Sequence, residues 1–337
     1  SLDELDPEFF AAASSLEANQ PNKISKDFIS KIWSVSPDVA DSALKCNSHL
    51  NKQTGQNNLS RQFTTNDRML RYKRINSLFF TDTFFTTKNA TSRPRGCTCA
   101  QIFVSDKGFV AIYPMKSKGD FLDALKLFCK EIGVPDRLVV DPSGEQTSKK
   151  VKHFSQQVSM TLRVLEESTQ WANRAELYVG IFKEAIRRDL RQSNCPLVLW
   201  DYCAERRAII HNLLPSKLFQ SSGQTPITAT LGTQGDISNL CTFGWYDWCY
   251  YREEGKHLFP HQKYLLGRVL GPTKNEGNSM AQNILNHHGN VVPRRTLRRL
   301  TAAEMHNPVE LKKRDAFDAR IKSLLGDSIT IPPPKPD

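Results

Sequence analysis

The stretch from Met160 to Gln192, MTLRVLEESTQWANRAELYVGIFKEAIRRDLRQ, constrains this chain more than any other. Its first residues alternate like a short strand. A polar break follows at Glu166–Asn173, and the remainder has the period of an amphipathic helix. Val179, Phe182, Ile186 and Leu190 form a stripe that faces a core, while Glu176, Gly180, Lys183 and Arg187 fall along another. A carboxylate, a position without a side chain and two cations make a poor packing surface. They suit a site that holds a metal ion beside a phosphodiester backbone, provided the chain supplies further carboxylates.

Two such carboxylates lie upstream. The β-rich run Ile75–Thr87, INSLFFTDTFFTT, carries Asp82 in its middle. Strands at Thr98–Ser105 and Gly108–Met115, joined by the turn Asp106–Lys107–Gly108, complete a meander with it. A helix over Ser117–Gly133 follows, with Phe121, Ala124, Leu125, Leu127 and Phe128 expected inward. Arg137–Val140 is a buried strand that ends at Asp141, and a helix at Ser148–Gln157 leads to the strand at Met160. The order β-β-β-α-β-α-β-α predicts a mixed sheet with helices on its faces. If the first and fourth strands are neighbours, Asp82 and Asp141 lie a few Å apart, and the last helix delivers Glu176 from the side.

Three ionised carboxylates that close repel one another unless a cation sits among them. Hard oxygen ligands select Mg²⁺ or Mn²⁺. Two such ions roughly 3.5–4 Å apart would activate an attacking oxygen and stabilise the leaving oxygen of an in-line displacement. Taken singly, each acid is an ordinary surface or turn residue; only their order on the predicted fold gives the set a chemistry, metal-assisted hydrolysis or strand transfer at phosphodiesters.

FFTDTFF, AQIFVSDKGFVAIYPMKSKGDF, VVDPSGEQ and TQWANRAELYVGIFKEAIR together resemble the integrase region of copia-type retrotransposon Pol polyproteins. The resemblance implies an RNase H-like catalytic core, most specifically over residues 75–190. It extends more loosely to GWYDWCYY, LGRVLGP and VVPRRTLRRL. By this carry-over Asp82, Asp141 and Glu176 match the catalytic, metal-binding triad. Glu145 follows Asp141 as is usual, and Lys183 matches a position that contacts DNA. The chain departs from the pattern in three places. The Asp141-to-Glu176 interval is one residue short. The usual Asn-Gly pair lacks its Gly at Asn173–Arg174–Ala175, in a loop that is normally flexible at the DNA end. Pro142 replaces a commoner polar residue.

The flanks divide the rest. Residues 1–22 read as a disordered, acidic lead-in, and 23–66 as a helical N-terminal segment and linker. Ser25 caps a helix carrying Phe28, Ile29, Ile32 and Trp33; Ser36 caps a second, with Pro37 at its first position. A DNA-reading helix-turn-helix is the poorer account of this pair, since its second helix is not basic. Residues 67–235 form the catalytic core, with Pro196–Leu214 as a strong helix and a shorter one near Thr225–Leu231. Residues 236–302 have the scale of a small five-strand, SH3-like β-barrel, with Trp245 and Trp248 in its core. Residues 303–337 are expected to hold a helix at Asn307–Leu325 and a Pro-rich linker.

The net charge of +11 is clustered rather than diffuse. The five acids of residues 1–17 are balanced by no base, whereas cations gather at Arg61–Arg74, Lys183–Arg191 and Arg294–Arg299. Clustering of this kind favours a nucleic acid over a diffuse solvated surface, and the resemblance implies that it is double-stranded DNA. Lys183, Arg187, Arg188, Arg294, Arg295, Arg298 and Arg299 are the expected phosphate contacts. Eight scattered cysteines fit reduced thiols in an intracellular protein better than a disulfide framework.

No zinc site is expected. Cys46 and His49 are too few ligands, and Cys241, Cys249, His257 and His261 have no familiar finger spacing, so core burial suits those cysteines better. Cys97 and Cys99 are assigned no role. No run approaches the roughly 20 apolar residues of a membrane helix, and no signal peptide is visible. A first residue of Ser suggests a piece of a longer polypeptide.

The expectation is therefore a metal-dependent polynucleotidyl transferase that trims the 3′ ends of element DNA and joins them to target DNA. By resemblance it would be a homo-oligomer, working in a cytoplasmic particle and then the nucleus. A catalytically decayed DNA- or chromatin-binding remnant, and another RNase H-like nuclease, are the alternatives.

Overall fold

The computed structural model describes residues 24–50, 73–166, 173–215, 223–253, 264–274 and 280–326. Most of the basic stretch Arg61–Arg74, most of the loop before Asn173, His257 and His261, the lead-in and the Pro-rich tail lie outside the described residues. The elements in chain order are α1 (Lys26–Trp33), α2 (Pro37–Cys46), β1 (Arg74–Phe85), β2 (Cys99–Ser105), β3 (Val110–Met115), α3 (Phe121–Glu131), β4 (Val134–Val140), α4 (Lys149–Gln157), β5 (Thr161–Val164), α5 (Arg174–Ser193), α6 (Trp200–Leu213) and α7 (Pro226–Leu231). They continue with β6 (Trp248–Arg252), β7 (Tyr264–Pro272), β8 (Gln282–Leu285), β9 (Val291–Arg294), β10 (Leu297–Arg299), α8 (Ala302–His306) and α9 (Pro308–Leu325). The chain forms two compact units. One runs over Asn66–Gly235 with Lys45–Asn47, and the other joins the N-terminal helices as far as Leu44 to Asp236–Leu324.

The first unit is α/β, built on a mixed five-stranded sheet ordered β3-β2-β1-β4-β5. β1 and β2 are antiparallel, as are β2 and β3. β4 and β5 run parallel to β1. This is the RNase H-like arrangement expected from the sequence, with the acid-bearing strands β1 and β4 adjacent. β1 alternates because one face of its sheet is covered more fully than the other. β2 is buried along its whole length, as a central strand under helices must be.

The core gathers Phe79, Phe103, Phe109, Tyr113, Leu125, Phe128 and Leu138. Phe103 stacks on Phe128 at a centroid distance of 4.4 Å, and Phe79 meets Phe128 edge-on at 5.1 Å. Leu127, expected inward, is 46% exposed. The helix proper starts at Phe121 after a short turn at Lys118–Asp120, and its inward face is Phe121, Ala124, Leu125 and Phe128. Leu127 sits one residue, about 100°, away from Phe128 on that helix. Gly133 turns the chain from α3 into β4 at φ +135, where a Cβ would stand 2.6 Å from the Lys73 carbonyl oxygen.

α5 packs Tyr178, Val179, Phe182, Ile186 and Leu190 inward, as its periodicity predicts. A buried ion pair locks it to α6: the Arg207 guanidinium grips both carboxylate oxygens of Asp189, with Nε 2.5 Å from Oδ2. Arg95 clasps α6 from the β1–β2 connection, 2.6 Å from Glu205 and with its guanidinium over the Tyr202 ring.

In the second unit a five-stranded antiparallel sheet has the order β10-β6-β7-β8-β9, compatible with an SH3-like domain. The run NVVPRRTLRRL supplies two of these five strands, β9 and β10. Phe243, Cys249, Tyr251, Val269, Ile284 and Leu297 form its core. Trp245 is buried, and Trp248 lies between the Arg268 guanidinium and the edge of Phe317 from α9. α1 belongs to this unit: Trp33 is fully buried and donates its indole N–H to the Leu240 carbonyl. Among the described residues no helix is long and apolar enough to cross a membrane.

Replacing Arg207 by Ala strips Asp189 of its bidentate partner inside the α5–α6 interface. We expect a loss of roughly 3–5 kcal/mol in urea unfolding at pH 7. A change under 1 kcal/mol would mean that the apolar stripe alone holds α5.

Candidate active site

The site begins with strand register. β1 and β4 pair in parallel with Phe79 opposite Leu138 and Phe80 opposite Val139. Two residues further along both strands come Asp82 and Asp141, which this register brings level on adjacent strands, about 5 Å apart at the backbone. Asp82 lies inside β1, whereas Asp141 is the first residue past β4. A buried polar chain fixes the end of β1 below them. Thr83 donates to Gln101 Oε1 at 2.6 Å, Gln101 Nε2 to Thr81 Oγ1 at 2.6 Å, and Thr81 Oγ1 to the Ile102 carbonyl at 2.7 Å.

Each aspartate has its own restraint. Asp82 Oδ1 accepts the Thr83 backbone N–H at 2.6 Å. The Asp141 backbone N–H donates to Gln146 Oε1 at 3.0 Å, which folds the Pro142–Glu145 turn back onto the strand end. On the side-chain side, Asp141 Oδ1 accepts from Asn173 Nδ2 at 2.9 Å. The same Nδ2 donates to the Thr81 carbonyl at 3.2 Å, and Asn173 Oδ1 accepts the Ala175 N–H at 3.0 Å, capping α5. Asn173 is buried.

Burial pushes the Asp82 carboxyl up to about 6. The Thr83 N–H opposes that rise, the charges of Asp141 and Glu176 add to it, and Lys183 lowers it. Asp141, Glu176 and Lys183 are therefore each within electrostatic reach of Asp82. Asp82, Thr83, Lys118, Asp141, Glu145 and Gln146 line one small cleft with Phe121 and Ser143. Glu176 is exposed in the first turn of α5 and is not part of that lining. Among the described residues no three His, Cys, Asp or Glu side chains converge into a ready-made metal cage. Physical chemistry accounts for the open arrangement, because three carboxylates without a cation repel. The donor type fits a hard divalent ion: two carboxylates level on adjacent strands, one of them with its pKa raised by burial, and a third carboxylate in the first turn of α5.

Lys183 is half-buried and faces Asp82; Arg187 and Arg188 are exposed, and Arg187 stands 3.5 Å from Glu184. Gly180 lies on the exposed face, and a Cβ there would meet nothing within 4 Å. Packing does not require a glycine at that point, so the gap is available to a ligand lying along the helix. The arginines of the other unit are half-buried. Arg298 makes two 2.7 Å bonds to Glu304 and lies over the Tyr250 ring. Arg299 lies over Phe28, and Arg294 donates to the Pro293 carbonyl. Cys241 and Cys249 are buried, with the Cys241 thiol donating to the Ile237 carbonyl at 3.0 Å.

Sequence reasoning overlooked Gln146, Lys118 and the part played by Asn173. The helix cap was open to detection, since Asn before an amphipathic run is a start signal. The bonds to Asp141 and Thr81 cross the fold and leave no local trace.

No family model matches the chain, and no curated protein matches it. Solved structures do align with it. The HTLV-2 integrase catalytic core domain in complex with magnesium aligns in its trimeric form at 17% identity over 46% of this chain and 97% of that one, TM-score 0.36. Its dimeric form gives 17% identity, 46% and 96% coverage and a TM-score of 0.35. A simian T-cell lymphotropic virus intasome in complex with PP2A regulatory subunit B56 gamma aligns at 16% over 70% of this chain and 85% of that one, TM-score 0.36. Likenesses this distant leave the function to be read from the residues of this chain.

The raised Asp82 pKa has a consequence for the metal-free protein. Between pH 3.8 and about 6 the folded chain holds a proton that the unfolded chain has released. The stability this confers is present at low pH and fades as pH rises through 6. Asp82→Asn removes the penalty. In chelator at pH 7.5 the variant should melt roughly 2–4 °C above wild type, with the difference shrinking toward pH 4. Equal melting temperatures at pH 7.5 would show that Asp82 is not isolated in this way.

Proposed function

We propose that the chain is a retroelement integrase, a metal-dependent polynucleotidyl transferase of the copia type. The observation that carries this reading is the level pairing of Asp82 and Asp141 on parallel neighbours, with Glu176 and Lys183 in electrostatic reach. Fold alone would not distinguish it from other nucleases; the acid set followed by a cationic helix face favours DNA strand transfer.

In this reading Asp82, Asp141 and Glu176 hold Mg²⁺ or Mn²⁺. The bound ions supply charge neutralisation and a more acidic attacking oxygen. The residues of the chain do the rest. Lys183 lies beside the acids, where its ammonium meets a non-bridging phosphate oxygen and resists the repulsion between carboxylates and DNA. Arg187 and Arg188 extend that contact along α5, and Gly180 leaves room for the backbone to lie close. In end trimming, water forms a new bond to phosphorus and the 3′ oxygen of the element strand leaves. In joining, that 3′ hydroxyl attacks a target phosphodiester and the target's 3′ oxygen leaves. Neither step attaches DNA to the protein.

Double-stranded DNA, both element ends and target, is the proposed partner, with Arg294, Arg295, Arg298 and Arg299 as further phosphate contacts. Homo-oligomeric assembly, work in a cytoplasmic particle and then the nucleus, and derivation from a Pol polyprotein belong to the same proposal.

Glu176→Gln keeps the size of the side chain while removing its charge and replacing one acceptor oxygen by an N–H donor. With Mn²⁺ and a short duplex carrying element ends, joining and nicking should fall at least about 100-fold, while DNA affinity stays within about threefold. A Glu176→Gln variant that still joins DNA ends sinks the assignment. A wild-type chain that binds duplex DNA yet never nicks it favours the decayed-remnant alternative.

A further inference from the structure

We propose that Asn173 is a positioning residue for the acidic site, a single buried amide that ties together all three elements bearing the acids. The inference rests on the metal-dependent reading above and deepens it.

Its three bonds reach β1 at the Thr81 carbonyl beside Asp82, the end of β4 at Asp141 Oδ1, and the start of α5 at the Ala175 N–H beside Glu176. Only one orientation of the amide satisfies them. A backbone N–H can only donate, so the Ala175 partner must be the Asn173 oxygen. A carbonyl can only accept, so the Thr81 partner must be the Asn173 nitrogen. The atom beside Asp141 is then an N–H donor by necessity, and Asp141 Oδ1 accepts. With Oδ1 engaged by Asn173, Oδ2 is the oxygen free of that bond and available to a cation. Asn173 is 4% exposed, so these bonds form without competition from bulk water.

No other standard side chain does all of this at one position. Asp keeps the cap but turns its second oxygen against Asp141. Ser keeps the cap and lacks the amide donors. Gly lacks both and is tolerated at a helix cap. The residue that opens α5 thus also holds the strand end opposite. Outer-shell partners of metal-binding carboxylates commonly govern affinity by 10–100-fold without touching the metal.

The test uses the whole 337-residue chain. Mn²⁺ binding is measured by calorimetry, without DNA, for wild type, Asn173→Ser and Asn173→Gly, with thermal unfolding in chelator alongside. The expected result is a Mn²⁺ Kd raised about 10–100-fold in both variants, while Asn173→Ser, which keeps the cap, stays folded at the titration temperature and melts no lower than Asn173→Gly. If both variants bind as wild type does, the inference falls and the metal reading stands. If only Asn173→Gly is impaired, Asn173 is a helix cap and nothing more, and the inference falls again. A wild-type chain that binds no Mn²⁺ overturns the metal reading and this inference together.

Discussion

Parallel pairing of β1 with β4 forces two carboxylates to the same level on adjacent strands, and the surrounding structure answers that one repulsion. At such separations two anions interact strongly in a partly desolvated setting. Burial chiefly pushes the Asp82 carboxyl up to about 6, and the charges of Asp141 and Glu176 add to that rise. Two donors are turned toward the pair, the Thr83 backbone N–H to Asp82 and the Asn173 amide N–H to the Asp141 side chain, while Gln146 Oε1 accepts the Asp141 backbone N–H. Neutral donors soften the repulsion without cancelling it. In the proposed reading a bound cation would relieve what these neutral donors leave uncancelled.

Maintaining such a site requires a scaffold that does not yield. α5 contributes Glu176 and Lys183 only if its phase and height are fixed. Two interactions of different kind fix them: an apolar stripe from Tyr178 to Leu190, and the Asp189–Arg207 pair buried against α6. The stripe supplies most of the free energy, because burial is non-directional and large. The ion pair adds little net stability once desolvation is counted, yet it selects a single rotation of the helix. Rotation matters here because the exposed face carries Glu176, Gly180 and Lys183 in line. A turn of one residue would aim Leu177 or Phe182 at the acids instead.

Much of this was legible in the sequence, and the boundary of legibility is itself physical. Strand order followed from local signals, namely alternation in Ile75–Thr87, the tight turn at Gly108 and the period of Phe121–Phe128. The neighbouring of the Asp82 and Asp141 strands followed from the order of elements. Leu127 was misjudged because hydrophobicity marks a candidate for burial without fixing which of two adjacent apolar residues faces the sheet. The joining of α1 to the second unit depends on Trp33 meeting the Leu240 carbonyl, a contact across 207 positions that no window can see. Asn173 lies at the limit, its cap local and readable, its two other bonds fixed only by the tertiary fold.

Charge counting carries a similar limit. A net charge of +11 invites the conclusion that DNA affinity follows from the number of arginines. The cations differ in what they must surrender to meet a phosphate. Arg187 is exposed and shares only a 3.5 Å surface contact with Glu184, a pairing worth little in water, so it can turn to DNA at almost no cost. Arg298 would have to exchange two 2.7 Å bonds to Glu304 and its place over Tyr250. Its exchange for a phosphate is close to neutral, one bidentate anion for another. Lys183 stands apart, because its ammonium already interacts with Asp82. A divalent ion that takes over that role frees Lys183 for the backbone, so metal and DNA should favour each other's binding at this end of α5.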